Sequence, residues 1–230
     1  MYLNFSYYIY MLPAILLMMA AQFYVNSAYR KWSQVRNQRN ITGQDAVERL
    51  IRYSQLGDIH LEMIAGKLTD NYDPRRKTLS LSSGVAQSPS VASLAIAAHE
   101  LGHAQQDQQD YFPLRFRVAL VPMVNIGSTL GWIMIIAGLI FNFVNLSWLG
   151  IMFFAGSTVF ALATLPVEFN ASRRAKAMLT ESGLITDPTE QRGVNNVLNA
   201  AALTYVAALF QSVMQLLYFV SLVGGGRRRS

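Results

Sequence analysis

Long apolar stretches alternate with shorter amphipathic ones along the chain. Four apolar stretches, Tyr7 to Val25, Ala119 to Phe143, Trp148 to Leu165 and Ala201 to Val223, are long enough or nearly so to cross a hydrocarbon core about 30 Å thick at about 1.5 Å per helical residue. No Lys or Arg precedes the first, and its first charge comes only at Arg30, so it reads as a retained anchor rather than a cleaved signal. In the polar stretches, Ala46, Val47, Leu50 and Ile51 recur at helical spacing after Thr42, which predicts an amphipathic helix over Gly43 to Gln55. Leu61 to Leu68 reads as a second helix, or as a helix followed by a strand. Asn71-Tyr72-Asp73-Pro74 signals a turn, after which Lys77 to Ser82 alternates with period two, as a half-exposed strand does. Ser88-Pro89-Ser90 supplies a cap and a first-turn proline, predicting a helix from Pro89 to Gln109 with Val91, Leu94, Ala95 and Ala98 as a narrow apolar stripe.

The organisation that follows is an anchor over 1–25, a polar region over 26–118, an apolar hairpin over 119–165, a second polar region over 166–200, a fourth span over 201–223 and a basic tail over 224–230. Composition agrees: 52% hydrophobic residues and 14% charged ones mark a mainly α integral membrane protein with about four transmembrane helices. The net charge of +6 sits in clusters beside the apolar segments, which argues for anionic lipid headgroups and against nucleic acid as the partner. Arg30, Lys31, Arg36 and Arg39, then Arg115 and Arg117, then Arg173, Arg174 and Lys176 all fall on one side of a four-span topology, predicted to be cytoplasmic. Arg227 to Arg229 would then lie outside, against the same rule.

Candidate chemistry centres on His99-Glu100-Leu101-Gly102-His103. Two imidazoles four residues apart on a helix face one way and can share one Zn²⁺, with the intervening glutamate beside the metal-bound water as general base. The chain's own composition makes a chance occurrence about one in a thousand. With no cysteine available, every ligand must be His, Asp or Glu. A hydrolytic zinc site takes three protein ligands, so a third is required. Glu168 is the leading candidate, because the second and third spans form a hairpin that returns the chain to the membrane face it left. Asp107, one further turn along the motif helix, and Glu181 or Glu190 remain alternatives. Gly102 costs about 1 kcal/mol relative to Ala inside a helix, which points to a close approach by another backbone. Tyr72, Tyr111 and Arg173 are candidates to stabilise an oxyanion, and His60, outside the motif, reads as structural. A zinc-binding membrane scaffold without catalysis is the competing reading. Glu100 argues against it, since a purely structural site needs no acid between its histidines.

Three segments resemble one known group. Tyr72-Asp73-Pro74-Arg75 leading into the following strand, Ala95 to Ala104 around the motif, and Leu165-Pro166-Val167-Glu168-Phe169-Asn170-Ala171-Ser172 are similar to the neutral zinc metallopeptidases of bacterial membranes, related in plan to heat-shock-type membrane zinc peptidases. The resemblance implies a small zincin-like α+β catalytic region built from two cytoplasmic segments. It further implies a gluzincin-like, zinc-dependent endopeptidase with ligands His99, His103 and Glu168 and with Glu100 as the catalytic acid and base. Peptide or protein substrates in or near the bilayer are expected. Heat-shock-type relatives carry an Asp four residues after the third-ligand Glu; here that place is Ser172, so either Asn170 or Ser172 replaces that partner or the site is arranged differently.

Overall fold

The computed structural model describes residues 5–225. The tail residues Arg227 to Arg229 and the first four residues lie outside that range. The chain runs α1 (Phe5–Ser33), α2 (Gly43–Tyr53), β1 (His60–Ile64), β2 (Asn71–Asp73), β3 (Thr78–Ser82), α3 (Ser83–Ala86), α4 (Val91–Gln108), α5 (Phe112–Ile140), α6 (Val144–Glu181) and α7 (Pro188–Gly225). It is a mainly helical membrane protein: α1, α5, α6 and α7 are each long and apolar enough to cross a bilayer. The helices outrun the apolar stretches. Helix α6 continues through Pro166, and α7 carries polar residues from Pro188 before its apolar part. Pro13 and Pro122 likewise sit inside helices, as apolar helices of this kind tolerate better than soluble ones do.

Two compact units divide the chain, one of residues 1–21, 115–165 and 204–230, the other of 22–114 and 166–203. In the first, α5 and α6 form a hairpin around the three residues 141–143. Small residues let their backbones touch: a Cβ on Gly131 would lie 2.7 Å from Gly150 O. Thr158 and Ser212 hydroxyls meet at 2.8 Å between α6 and α7, and Tyr7 and Tyr218 pack edge to face between α1 and α7.

The second unit is built around α4. Its sheet has the order β1-β3-β2, with β1 parallel and β2 antiparallel to β3. Strand β3 is therefore central and buried at every position, not half-exposed, and offers no edge. Leu79 and Leu81 enter the core, while Ser80 donates to Glu62 and Ser82 to Asp70, so the polar half of the alternation is buried with partners. The stretch after Ile59 forms strand β1 directly. Helix α2 begins after Thr42, whose side chain and that of Asp45 cap each other's backbone N–H. Helix α4 starts later than its sequence suggests, because Ser90, not Ser88, accepts from Ser93 N; the residues before it are held by the loop after α1, through Asn37 N to Pro89 O and Val91 N to Val35 O. Nor is its apolar side a narrow stripe. Ala92, Ala97 and Ala104 are buried along with Leu94 and Leu101, since α2, α3, β2 and β3 surround it. Alanines permit that close enclosure. Leu50, Leu179, Ile185 and Leu198 complete the core.

Candidate metal centre

Helix α4 presents His99 and His103 one turn apart, their rings edge to face with centroids 4.9 Å apart. Helix α6 presents Glu168, whose Oε2 lies 3.2 Å from His99 Nε2 and 3.5 Å from His103 Nε2. One donor atom from each of the three lies within 4.8 Å of the others, a spacing that can hold a metal ion. Gly102 makes this approach possible: a Cβ there would lie 2.5 Å from Ala171 O on α6. The close backbone expected from the glycine is therefore that of the helix carrying Glu168.

The other nitrogens of the two rings are also engaged. His99 Nδ1 faces Ser172 Oγ at 3.3 Å, and His103 Nδ1 faces Gln106 Oε1 at 3.1 Å. Gln106 is fully buried; its Nε2 donates to Val167 O at 2.8 Å and to Asn170 Oδ1 at 2.9 Å. Arg174 Nε donates to the same Asn170 oxygen at 2.7 Å. Ser172 thus stands against the His99 ring, while Asn170 is one contact further away, through Gln106. Gln106 has no signal in the sequence beyond lying three residues after His103.

Glu100 is buried beside this group, and burial pushes its carboxyl upward, with the two imidazoles pulling the other way. Burial would raise Glu168 too, but the two adjacent imidazoles, His103 and His99, outweigh it and hold the carboxyl well below the usual range. Burial opposes charge on His103, yet Glu168 reverses the balance and raises it. The two imidazoles keep 12% of their side-chain surface accessible against 3% for Glu168.

The remaining candidates lie elsewhere. Asp107 accepts from Tyr72 Oη at 3.0 Å, Glu190 accepts from Gln38 N at 2.7 Å near the start of α7, and Glu181 is exposed at the end of α6. Tyr111 lies under the Arg174 guanidinium, Arg173 is exposed, and His60 is exposed on β1.

The family described as "Putative neutral zinc metallopeptidase" matches residues 7–224. The chain belongs to that family. It is also 42% identical over 207 residues to a protein of Bacillus subtilis (strain 168) named "Putative membrane protease YugP", covering 90% of this chain and 92% of the relative. No solved structure matches the chain. Membership implies zinc as the metal, and the three-donor group is where the fold can hold one.

Proposed function

We propose that the chain is a gluzincin-like, zinc-dependent endopeptidase in which His99, His103 and Glu168 hold the metal and Glu100 is the catalytic acid and base. The convergence of Glu168 Oε2 on both imidazole Nε2 atoms, from a different helix, carries this reading. The donor set suits zinc: two imidazole nitrogens and one carboxylate oxygen, three protein ligands of the number a hydrolytic zinc site takes. Held there, Zn²⁺ would polarise a peptide carbonyl and bring the pKa of a coordinated water toward about 7. The protein's own part is proton handling and orientation. Glu100 takes a proton from the attacking water onto its carboxylate and delivers it to the leaving amine. Ser172 and Gln106 keep the two rings from turning. The similarity to a Bacillus subtilis protein named a membrane protease supports a bacterial cell membrane, the basic clusters support a site on the cytoplasmic side, and the site's place beside the spans favours substrates that are membrane proteins or their cytoplasmic loops.

The test is zinc content and proteolysis of an unfolded model protein by the detergent-solubilised chain and two variants. Glu100→Gln is expected to retain about one zinc per chain and to lose activity by roughly 10²–10⁴-fold. Equal, chelator-insensitive activity in wild type and variant would sink the proposal. Glu168→Gln is expected to weaken zinc binding, and unchanged occupancy would move the third ligand elsewhere. A wild type that binds zinc but cleaves neither unfolded nor membrane substrates would favour the scaffold reading.

A further inference from the structure

Taking the zinc reading of the site as its premise, we infer that Gln106 is a positioning residue that fixes which nitrogen of His103 carries the proton, and that Arg174 and Asn170 fix Gln106 in turn. The inference follows from which groups can only donate and which can only accept. A guanidinium has donors alone, so the Asn170 atom 2.7 Å from Arg174 Nε is necessarily the amide oxygen. A backbone carbonyl only accepts, so the Gln106 atom 2.8 Å from Val167 O is necessarily its NH₂. The same NH₂ reaches the Asn170 oxygen at 2.9 Å, and both contacts demand one orientation of the Gln106 amide. Its oxygen is left facing His103 Nδ1 at 3.1 Å. An amide oxygen cannot donate, hence Nδ1 carries the hydrogen.

The consequence appears at the other side of the ring. A neutral imidazole with its hydrogen on Nδ1 has its lone pair on Nε2, the atom that faces Glu168 Oε2 at 3.5 Å. The opposite tautomer would donate Nε2–H to Glu168, tying up the carboxylate and leaving the lone pair on Nδ1, turned away from Glu168. Within the neutral form, Gln106 favours the tautomer that can ligate, against the competing hydrogen bond that Glu168 offers. His99 is not constrained in this way, because the Ser172 hydroxyl facing its Nδ1 can donate or accept. The tautomer of one ring is fixed, and that of the other is left open.

The alternative is that Gln106 merely ties α4 to α6, and two variants separate the roles. Gln106→Met removes every hydrogen bond with little change in volume. Gln106→Glu restores an acceptor for His103 Nδ1 while giving up the donations to Val167 and Asn170. Ring ¹⁵N spectra of the metal-free chain in detergent, at an alkaline pH where the imidazoles are neutral, report the tautomer of each of the three histidines, with exposed His60 as reference. Chelator competition gives the zinc dissociation constant. Wild-type His103 is expected as the Nδ1–H form. Gln106→Met should shift it toward Nε2–H and raise the zinc dissociation constant about 10–100-fold, and Gln106→Glu should recover both. The inference is overturned by a wild-type His103 protonated at Nε2, by a Gln106→Met protein with tautomer and affinity unchanged, or by equal zinc loss in both variants with the tautomer unmoved. The wild-type spectrum decides the matter even if Gln106→Met does not fold. Because the tautomer is read without metal or substrate, a wild type that binds no zinc would refute the peptidase reading separately.

Discussion

At the scale of single residues, position 102 sets how near α6 can come to α4. In Gly102→Ala the new methyl would meet Ala171 O at 2.5 Å and Ala171 Cα at 3.1 Å, which are backbone atoms that no rotamer change can move. Alanine's helix preference of about 1 kcal/mol is then outweighed by overpacking, and a net destabilisation of about 1–3 kcal/mol is expected together with weaker zinc binding. Thermal unfolding with and without added zinc checks it; unchanged stability and affinity would mean that α6 can retreat freely. Tyr72 gives a pH dependence. Burial first, then the hydrogen bond to the Asp107 carboxylate, holds its hydroxyl well above the ordinary tyrosine range. The unfolded chain therefore loses this proton first, near pH ~10, and above that point the folded state binds more protons. Stability falls as pH rises through that window and is unaffected below it. Tyr72→Phe should flatten the alkaline limb in denaturant titrations between pH 8 and 12, and identical limbs would remove Tyr72 from the account. The motif histidines and Gly102 were readable from their spacing and from the cost of glycine in a helix. Gln106 was not, because an isolated glutamine on a helix is ordinary and its meaning lies in partners 61 and 64 residues away.

Among elements, α2 shows what local sequence can specify. Its apolar spacing and its Thr42–Asp45 capping box belong to neighbouring residues, so periodicity and cap chemistry locate it. Thr42→Ala should cost about 1 kcal/mol, read as a lower unfolding temperature in a detergent melt; no change would show that packing on α4 alone holds the helix. Strand β1 was not legible in the same way. A five-residue apolar and polar mixture fits either a helix or a strand, and it is the parallel pairing with β3 that decides. The start of α4 was displaced for a related reason: the loop after α1 occupies the backbone groups around Pro89, leaving Ser90 as the cap. Pro166 marked an expected boundary, yet α6 runs through it and delivers Glu168, Asn170, Ser172 and Arg174 on one continuous helix.

At the scale of the whole chain, four apolar helices were legible because apolar length alone identifies them. Four crossings would return the chain to the side on which it began, and the orientation proposed from the basic clusters makes that side the outside. A tag after Ser230 is accordingly expected to be cut by protease added to intact cells, while one in the connection 182–187 should be protected until the membrane is broken. The opposite pattern would invert the orientation. The separation of the donors along the sequence also bears on synthesis. Glu168 follows His99 by 69 residues, so at about 5–20 residues per second the nascent chain carries one part of the donor group for several seconds before the other exists. Val167, Asn170, Ser172 and Arg174 arrive equally late. Until α6 has left the ribosome and packed against α4, the chain holds two imidazoles without the Glu168 carboxylate and a Gln106 without the Val167 and Asn170 groups that fix it, and a product truncated before Glu168 cannot assemble the group at all.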